Sequence, residues 1–476
     1  MAKYYLNALW LLSVALLSLL VNSCEHESIE PEPDNDTLKA YLTEIAGSVQ
    51  RNGTPAAGRD YLLYGDFVDH GVPYNIYTLA FGSSGDGNLL ERTGDNANIR
   101  HDYTAITAPN GLRIVSPNCL QCHAQMLNGQ LVVGLGNSVA DFTNDQSESV
   151  AAVDALITNL YGTDSPQWDA YAPFRRGILA IAPNIKQKVR GVNSADNIAA
   201  VLAAHRNRHT LEWQEEPTIQ YPNEVVPVDV PAWWQLRKKN SMFWTALGRG
   251  DYAKISMASS LLTLVDTAKA RQVNGQFGDV EAYINTLEPP TYPQNINADL
   301  AAQGKTLFIA NCQRCHGTYG GETETYPNLL VSLDLVKTDP MLAVDGMSFT
   351  EFVDWYNESW FNTEPFPAYL TPHYGYIAPP LDGVWATAPY LHNGSIPTLD
   401  DLLNSTQRPN AWKRTFNTSD IDYEKVGWNY SLEAAGSGNP EIYDCTVPGY
   451  HNTGHTFGDR LNTQERAAVI EYLKTL

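Results

Sequence analysis

The sequence predicts a mainly α-helical protein with two domains of similar plan, extended loops and little β structure. Three observations lead to this fold class. Two Cys-x-x-Cys-His motifs lie far apart, at 119–123 and 312–316. Each is followed well downstream by a similar closing segment, Tyr-Ile-Asn-Thr-Leu at 283–287 and Tyr-Leu-Lys-Thr-Leu at 472–476. Alternation of apolar and polar residues, the signal of a half-buried strand, is weak throughout.

The two motifs indicate covalently bound c-type haem. Their thiols add across the vinyl groups of the porphyrin, and the histidine that follows is held beneath the iron. Two disulfides or a shared zinc site would leave no reason for a histidine after both cysteine pairs. The sequence therefore predicts two covalent haems, attached at Cys119, Cys122, Cys312 and Cys315, with His123 and His316 as iron ligands.

The arrangement of helices and prolines suggests where the domains divide. The segment 288–293, Glu-Pro-Pro-Thr-Tyr-Pro, cannot continue a helix and is typical of a linker. One domain is therefore predicted at 38–290 and another at 294–476. The second begins with an entry helix in the segment 298–312, which leads straight into the motif, and it closes with a helix that Asn462 and Glu465 start as a capping-box-like pair. A leading helix, the motif and a closing helix are the minimal cytochrome c plan, so both domains are predicted to be cytochrome c-like. Further helices are expected at 149–160, 194–206 and 253–269.

The first residues are typical of an exported lipoprotein. Lys3 precedes an apolar run from 8 to 21, which suits a signal peptide at 1–23 better than a membrane span. Ser23 and Cys24 end a sequence that resembles a bacterial lipobox, so Cys24 is the predicted lipidation site. An ordinary signal peptide with a stray cysteine is the alternative. The acidic segment 24–37 is predicted to be a disordered tether. We expect a lipoprotein that faces the periplasm or is anchored in the outer membrane of a Gram-negative-type envelope.

The net charge bears on which partners the protein can bind, and the cysteine count shows which thiol is left without an assigned role. The formal charge of -22 argues against nucleic acid, because few cations are available to neutralise phosphates. It fits an exported protein that meets a basic electron-transfer partner, although solubility alone explains it equally well. After lipid and haem are assigned, Cys445 is left over from six cysteines and is predicted to be a buried thiol.

Two further segments carry a family resemblance. The segment 387–403, TAPYLHNGSIPTLDDLL, and the segment 452–458, NTGHTFG, are its clearest parts. Over roughly residues 100–476 the chain resembles the di-haem cytochrome c peroxidase superfamily, and most closely its rubber-oxygenase-like branch. The resemblance implies an oxidoreductase whose second haem passes electrons from a redox protein or small reductant and whose first haem activates peroxide. A dioxygen-dependent oxygenase of unsaturated hydrocarbons and a non-catalytic, membrane-tethered electron carrier are the alternatives.

The resemblance also bears on the axial ligands. It leads to a methionine 14 residues beyond His392, but that position is Thr406. His455 is the preferred sixth ligand of the second haem, because the oxygenase-like branch uses a histidine near its C-terminus and Gly454 lets the backbone approach closely. The peroxidases often place a removable histidine some 16 residues beyond the first proximal histidine, but that position is Val139, and no histidine occurs between 124 and 204. The resemblance therefore implies an open sixth position on the first haem. The other candidates for the second haem are His392, interpreted as structural, and His451, Met341 and Met347.

Two weaker predictions concern electron transfer and calcium. Trp233 and Trp234 belong to the densest aromatic patch of the first domain and are candidate relays between the haems; ordinary core aromatics are an equal alternative. The superfamily holds calcium partly through carbonyls of its Thr-Ala-Pro segment, which implies Thr387 and Pro389 as ligands. The asparagine ligand has no counterpart here. The sequence assigns no catalytic acid–base residue.

Overall fold

Helices and small antiparallel sheets alternate along the chain in the computed structural model, which describes residues 38–83, 86–321 and 323–476. The predicted signal peptide, Cys24 and the acidic tether lie outside the described residues. Residues from Leu42 to Leu476 form one unit. Among the described residues, none of the helices has both the length and the apolar character that crossing a bilayer requires.

Fifteen α-helices occur among the described residues from Leu42 onward, and each motif ends in a short one. They are α1 (Pro55–Tyr64), α2 (Tyr74–Phe81), α3 (Leu120–His123), α4 (Ser147–Tyr161), α5 (Pro166–Ile181), α6 (Ala195–Ala204), α7 (Tyr252–Ser256), α8 (Thr267–Ile284), α9 (Ala298–Asn311), α10 (Gln313–His316), α11 (Leu333–Val336), α12 (Met341–Ser348), α13 (Thr350–Asn357), α14 (Leu399–Leu402) and α15 (Thr463–Leu473).

The strands are two to five residues long. They are β1 (Leu42–Glu44), β2 (Val72–Pro73), β3 (Tyr103–Thr107), β4 (Arg113–Pro117), β5 (Ala124–Leu127), β6 (Gln130–Val133), β7 (Gly248–Gly250), β8 (Leu329–Ser332), β9 (Ala368–Leu370), β10 (Gly375–Ile377), β11 (Ala411–Lys413), β12 (Ile421–Asp422), β13 (Gly427–Trp428), β14 (Ser431–Leu432) and β15 (Ile442–Asp444). Their orders are β1-β8-β10, β2-β4-β3, β14-β11-β15, β5-β6, β7-β9 and β12-β13.

The predicted fold class, mainly α with little β structure, was wrong. Helices account for 39% of the structure and strands for 13%, spread over several small sheets. Most of these strands are too short for alternation to be visible in the sequence. Several also pair with distant partners: Leu42 lies opposite Val331 in the β1–β8 ladder. The sequence pattern therefore indicated mainly helices, although the fold contains both helices and small sheets.

Predicted helices were confirmed where the sequence carries a strong local signal. Asn462 and Glu465 form a capping box at the start of α15, which confirms that prediction. The leading helix is confirmed as α9, with Asn297 accepting from the Leu300 N–H. The helix predicted over 253–269 was wrong, because Asp266 caps a new helix, α8, by accepting from the N–H groups of Ala268 and Lys269.

Two large apolar clusters form the core. The first combines residues of α1, α6, α7 and α8 with residues of α13 and β9. The second combines Trp234 and Leu127 with residues of α9, α14 and α15. Each cluster therefore draws on both halves of the chain, and burial of apolar area in both is what holds the motifs in place. The domain boundary at 290–294 stays a prediction.

Candidate haem sites

The second motif forms the short helix α10 directly after α9. The N–H groups of Cys315 and His316 both donate to the Cys312 carbonyl, at 3.1 Å, so the motif is one tight turn. His316 Nδ1 lies 2.9 Å from the Pro379 carbonyl oxygen. Since a carbonyl can only accept, this contact assigns the proton to Nδ1 and leaves Nε2 free to bind metal. Burial lowers the pKa of His316 and favours the neutral ring that metal ligation requires.

A large cavity lies beside α10, and about 160 Å³ of it is open to the centres of water-sized spheres. Its lining is mostly apolar and includes Cys312, His316 and His455. A large volume with an apolar lining and few polar groups is typical of a cofactor site. Thr338 Oγ1 belongs to this lining and is buried without a hydrogen-bond partner among the described residues. Such an orphaned atom suggests a ligand that is not part of the polypeptide. The residues present therefore fit a haem.

His455 shares this cavity with His316. The centroids of the two rings are 6.2 Å apart, and the ring planes are inclined by 62°. Two metal–nitrogen bonds of about 2.0 Å, together with the short ring radii, span a similar distance. His455 has a left-handed backbone, with φ of 45°, and its N–H donates to the Val336 carbonyl at 2.7 Å. Burial lowers the pKa of His455 to about 3, and its Nδ1 has no hydrogen-bond partner in the described part of the chain.

The glycine before His455 explains how its backbone enters the site. Gly454 has a φ of 71°, a conformation that L side chains rarely adopt. A Cβ added there would lie 2.2 Å from the Lys337 carbonyl carbon and 2.3 Å from the Thr338 nitrogen. The backbone at residue 454 can therefore pass this close to the end of α11 only if that residue is glycine.

The other candidate ligands have different surroundings. His392 also lines the cavity, but its ring stacks on Tyr376 with centroids 4.0 Å apart and planes inclined by 16°. Burial lowers the pKa of His392 to about 3. His451 Nδ1 lies 2.9 Å from the Cys445 carbonyl oxygen, which gives that ring a different partner. Met341 and Cys315 both pack against one apolar cluster, whereas Met347 is 45% exposed.

The first motif forms α3, and the hairpin β5–β6 follows it immediately. The His123 N–H donates to the Cys119 carbonyl at 3.0 Å, the same tight turn as in the second motif. Asn193 Nδ2 donates to Cys122 Sγ at 3.0 Å. The His123 ring stacks on the Trp233 indole, with centroids 4.4 Å apart and planes inclined by 18°. Burial lowers the pKa of His123 to about 3, so this ring is neutral and suited to bind metal.

The two predicted relay residues face different surroundings. Trp233 stacks on His123. Trp234 is fully buried and belongs to the apolar cluster that contains Phe308 and Val384, two residues that line the large cavity. Its Nε1 donates to the Asp382 carbonyl at 2.8 Å. One pair of consecutive aromatic residues therefore connects the first motif with the walls of the second site.

The structure gives the surroundings of the predicted calcium ligands and of the remaining cysteine. Thr387 and Pro389 both line the large cavity, and Thr387 Oγ1 donates to the Val384 carbonyl at 3.1 Å. Among the described residues, no group of three or more His, Cys, Asp or Glu is arranged to hold a metal ion. Calcium stays a prediction. Cys445 is buried, as predicted.

Sequence reasoning missed the residues that support the second site. The Pro379 carbonyl orients His316, and Thr338 offers an orphaned hydroxyl to the cavity. Arg408 donates to the carbonyls of Asn452, Gly454 and His455. A backbone acceptor has no sequence signature, and an isolated arginine in a loop gives no hint of its partners. These contacts become visible only in three dimensions.

Part of this site is similar to a known family. A family profile described as RoxA-like, cytochrome c-like matches residues 375–413, the stretch that contains Tyr376, Pro379 and His392. The match supports a relationship to RoxA-like cytochromes c and implies a c-type haem. One cytochrome c-like region is identified where a pair of cytochrome c-like domains was predicted, so that part of the fold class is also corrected.

Two curated relatives are similar over part of their length. Uncharacterized protein y4iJ of Sinorhizobium fredii is 29% identical over 272 residues, which cover 43% of this chain and 44% of that protein. Uncharacterized protein y4iM of the same organism is 28% identical over 274 residues, which cover 53% of this chain and 62% of that protein. The chain spans about half the length of the curated relatives it matches.

Proposed function

We propose that this protein is a di-haem c-type oxidoreductase in which the two haems have different tasks. The observation that carries the proposal is the difference between the two motif histidines. His316 shares a cavity with the ring of His455, at a centroid separation that suits one iron between them. Among the ring contacts of the described residues, His123 has none with a second histidine, and its ring stacks on the Trp233 indole. The proposal therefore gives the second haem two protein ligands and the first haem one.

When bound, haem supplies one-electron transfer where both axial positions are filled, and binding of peroxide or dioxygen where one position is free. The polypeptide contributes the rest. The Pro379 carbonyl holds the His316 ring in one tautomer. The apolar lining of the cavity excludes water from the second site and lowers the local dielectric. At the first site, the Trp233 indole limits rotation of the His123 ring.

Trp233 and Trp234 are the proposed route for electrons between the sites. The first ring stacks on the histidine of one motif, and the second is packed among side chains that line the other cavity. Aromatic rings in such a position shorten the distance that an electron must cross through saturated side chains.

Peroxide activation at the first haem is the favoured activity, with reducing equivalents from a redox protein or a small reductant. A dioxygen-dependent oxygenase of unsaturated hydrocarbons is the second candidate. It is favoured by the RoxA-like match at 375–413, which agrees with the resemblance of segment 452–458 to the oxygenase-like branch. Peroxidase activity should appear as turnover of an added electron donor by peroxide. The oxygenase should instead hold a stable dioxygen adduct as isolated.

Haem count is the first test. Protein extracted with acidified acetone should retain two haems per chain, because thioether bonds survive denaturation. Replacing Cys312 and Cys315 together by alanine should leave one haem. Cys445→Ala is the matched control, since this buried thiol lies outside both motifs, and it should retain two. Loss of all porphyrin from the extracted wild-type chain would contradict the proposal.

Spin state is the second test. One high-spin and one low-spin haem in the oxidised protein would support an enzyme with divided tasks. Low-spin spectra for both haems would favour the non-catalytic electron carrier instead. The measurement therefore separates the enzyme from the carrier before any substrate is known.

The proposal extends to cell location, partner and a second cofactor. Export as a lipoprotein, anchored through Cys24, would put the protein where c-type haem is attached. The formal charge of -22 suits a basic redox partner. Calcium at Thr387 and Pro389 would be a structural cofactor, and a chelator that leaves thermal stability unchanged would remove it from the proposal.

A further inference from the structure

Arg408 lies in the loop after α14 and is largely enclosed. Its guanidinium carries five N–H donors in a rigid fork. All five are used in hydrogen bonds of 2.7 to 3.1 Å to main-chain carbonyls, those of Asp401, Leu402, Asn452, Gly454 and His455. One side chain therefore ties the end of α14 to segment 452–455.

The segment that Arg408 holds carries the candidate sixth ligand. Gly454 and His455 both have positive φ, so their backbone is in a conformation that needs outside support. The His455 N–H is bound to the Val336 carbonyl, but the Nδ1 atom of the ring has no hydrogen-bond partner in the described chain. The ring direction is therefore set through the backbone, and Arg408 binds three carbonyls of that backbone.

The two histidines of the second site thus differ in how they are oriented. His316 is held by a direct bond from its ring to the Pro379 carbonyl. Such a bond makes an imidazole a stronger electron donor to a metal. His455 lacks one and has the Arg408 guanidinium close to its own carbonyl instead, at 3.1 Å. A buried cation beside a ligand favours the reduced, less positive state of an iron.

We infer that Arg408 is a positioning residue that fixes the ring of His455 opposite His316 and raises the reduction potential of the haem between them. This inference rests on the proposed function, because it requires haem at the second site. Two separable effects follow from one side chain. The fork of donors sets the position of the ligand, and the positive charge sets the potential.

Arg408→Met and Arg408→Lys separate the two effects. Methionine removes both the donors and the charge, so part of the low-spin signal of the second haem should be lost and its midpoint potential should fall. Lysine keeps the charge but has a single ammonium that cannot bind five carbonyls. It should keep the potential of the remaining low-spin haem near the wild-type value while still losing low-spin signal. Added imidazole should restore the low-spin spectrum in both variants by replacing the displaced ligand.

Arg466→Met is the matched control. Arg466 lies on α15 and donates to the Leu461 carbonyl at 2.7 Å, with no bond to segment 452–455. Its replacement should leave the spin state and the potential of both haems unchanged. An equal change in this variant would show that loss of any nearby arginine is enough, and it would overturn the positioning role.

The outcomes also separate this inference from the proposed function. If Arg408→Met and Arg408→Lys keep two haems with wild-type spectra and potentials, the inference is wrong and the proposed function stands. If the wild-type chain carries no low-spin haem, the proposed function fails first and the inference falls with it. Should Arg408→Met not fold, Arg408→Lys decides alone, because an unchanged spectrum in that variant overturns the inference.

Discussion

At the residue scale, two histidines compete for the role of sixth ligand at the second site. Both line the large cavity, and burial lowers the pKa of both to about 3. Their rings differ in what they touch. The His392 ring stacks on Tyr376, and among the ring contacts of the described residues it has none with His316. The His455 ring lies at a distance from His316 that one iron can bridge.

His455→Ala should therefore convert the second haem from low-spin to high-spin or water-ligated, because it removes one of two strong axial ligands. Absorption and electron paramagnetic resonance spectra of the oxidised protein would measure this. The first haem should keep its spectrum and still bind small ligands, while catalytic turnover falls. His392→Ala should leave both spin states unchanged. The reverse pattern would mean that His392 is the ligand.

The sequence predicts the roles of some residues of the site and gives no signal for others. The Cys-x-x-Cys-His motif predicts its cofactor directly, because five consecutive residues supply both the haem attachment and the histidine that ligates the iron. His455 could be chosen only through a family resemblance, and its role stays a prediction. Arg408 lies 47 positions from His455 in the chain and binds it through main-chain atoms. No local pattern reports such a contact.

At the element scale, the crossing of α9 and α15 supports the second motif. Gly304 lies at the contact, and a Cβ built there would lie 1.8 Å from the Ala468 carbonyl oxygen. The helices can approach this closely only because residue 304 has no side chain. Since α9 runs directly into Cys312, a shift of this helix would move the motif as well.

Gly304→Ala should destabilise the protein by about 1–3 kcal/mol, the usual cost of overpacking a well-filled contact. Urea unfolding would measure the change, and the second haem should become more accessible to added ligands. Gly275→Ala is the matched control, because this glycine lies at an exposed position of α8 with nothing within 4 Å of the new Cβ. That variant should gain roughly 0.5–1 kcal/mol from helix propensity. Equal effects of the two substitutions would contradict the account of the crossing.

Elements with local signals were predictable and elements made by distant pairing were not. The capping box of α15 joins two residues that are three positions apart, and the periodicity of α9 is visible within that helix alone. The break before α8 was also readable, because Asp266 is a strong N-cap residue that the long predicted helix ignored. The β1–β8 pairing joins residues more than 280 positions apart and has no signal at either end alone.

At the scale of the whole molecule, the two halves share their core. Residues of α13 and β9 pack in the cluster built around α1 and α8, and Trp234 packs in the cluster around α9 and α15. Composition and motif spacing predicted two similar units but carry no information on which apolar faces cover each other. That choice depends on the shapes of many side chains at once.

Cys24 tests the proposed location of the molecule. Cys24→Ser should release the protein from membranes or block its processing, because the lipid on that residue would provide much of the membrane affinity. Fractionation of cells into membrane and soluble protein would measure the effect. Cys445→Ser is a suitable control and should remain with the membrane, since its thiol is buried in the folded unit. A mature N-terminus at another residue would contradict the lipoprotein hypothesis.

The adjacency of Trp233 and Trp234 has a mechanical consequence. Consecutive residues are joined by a planar peptide unit, so their Cα atoms remain about 3.8 Å apart whatever the surrounding helices do. One ring follows the first motif and the other follows the walls of the second cavity. Thermal motion of the core can tilt these rings, but it cannot change the distance between the two Cα atoms that carry them. The covalent chain thus limits how far the two rings of the proposed relay can separate, and we expect heating below the unfolding transition to change their spacing very little.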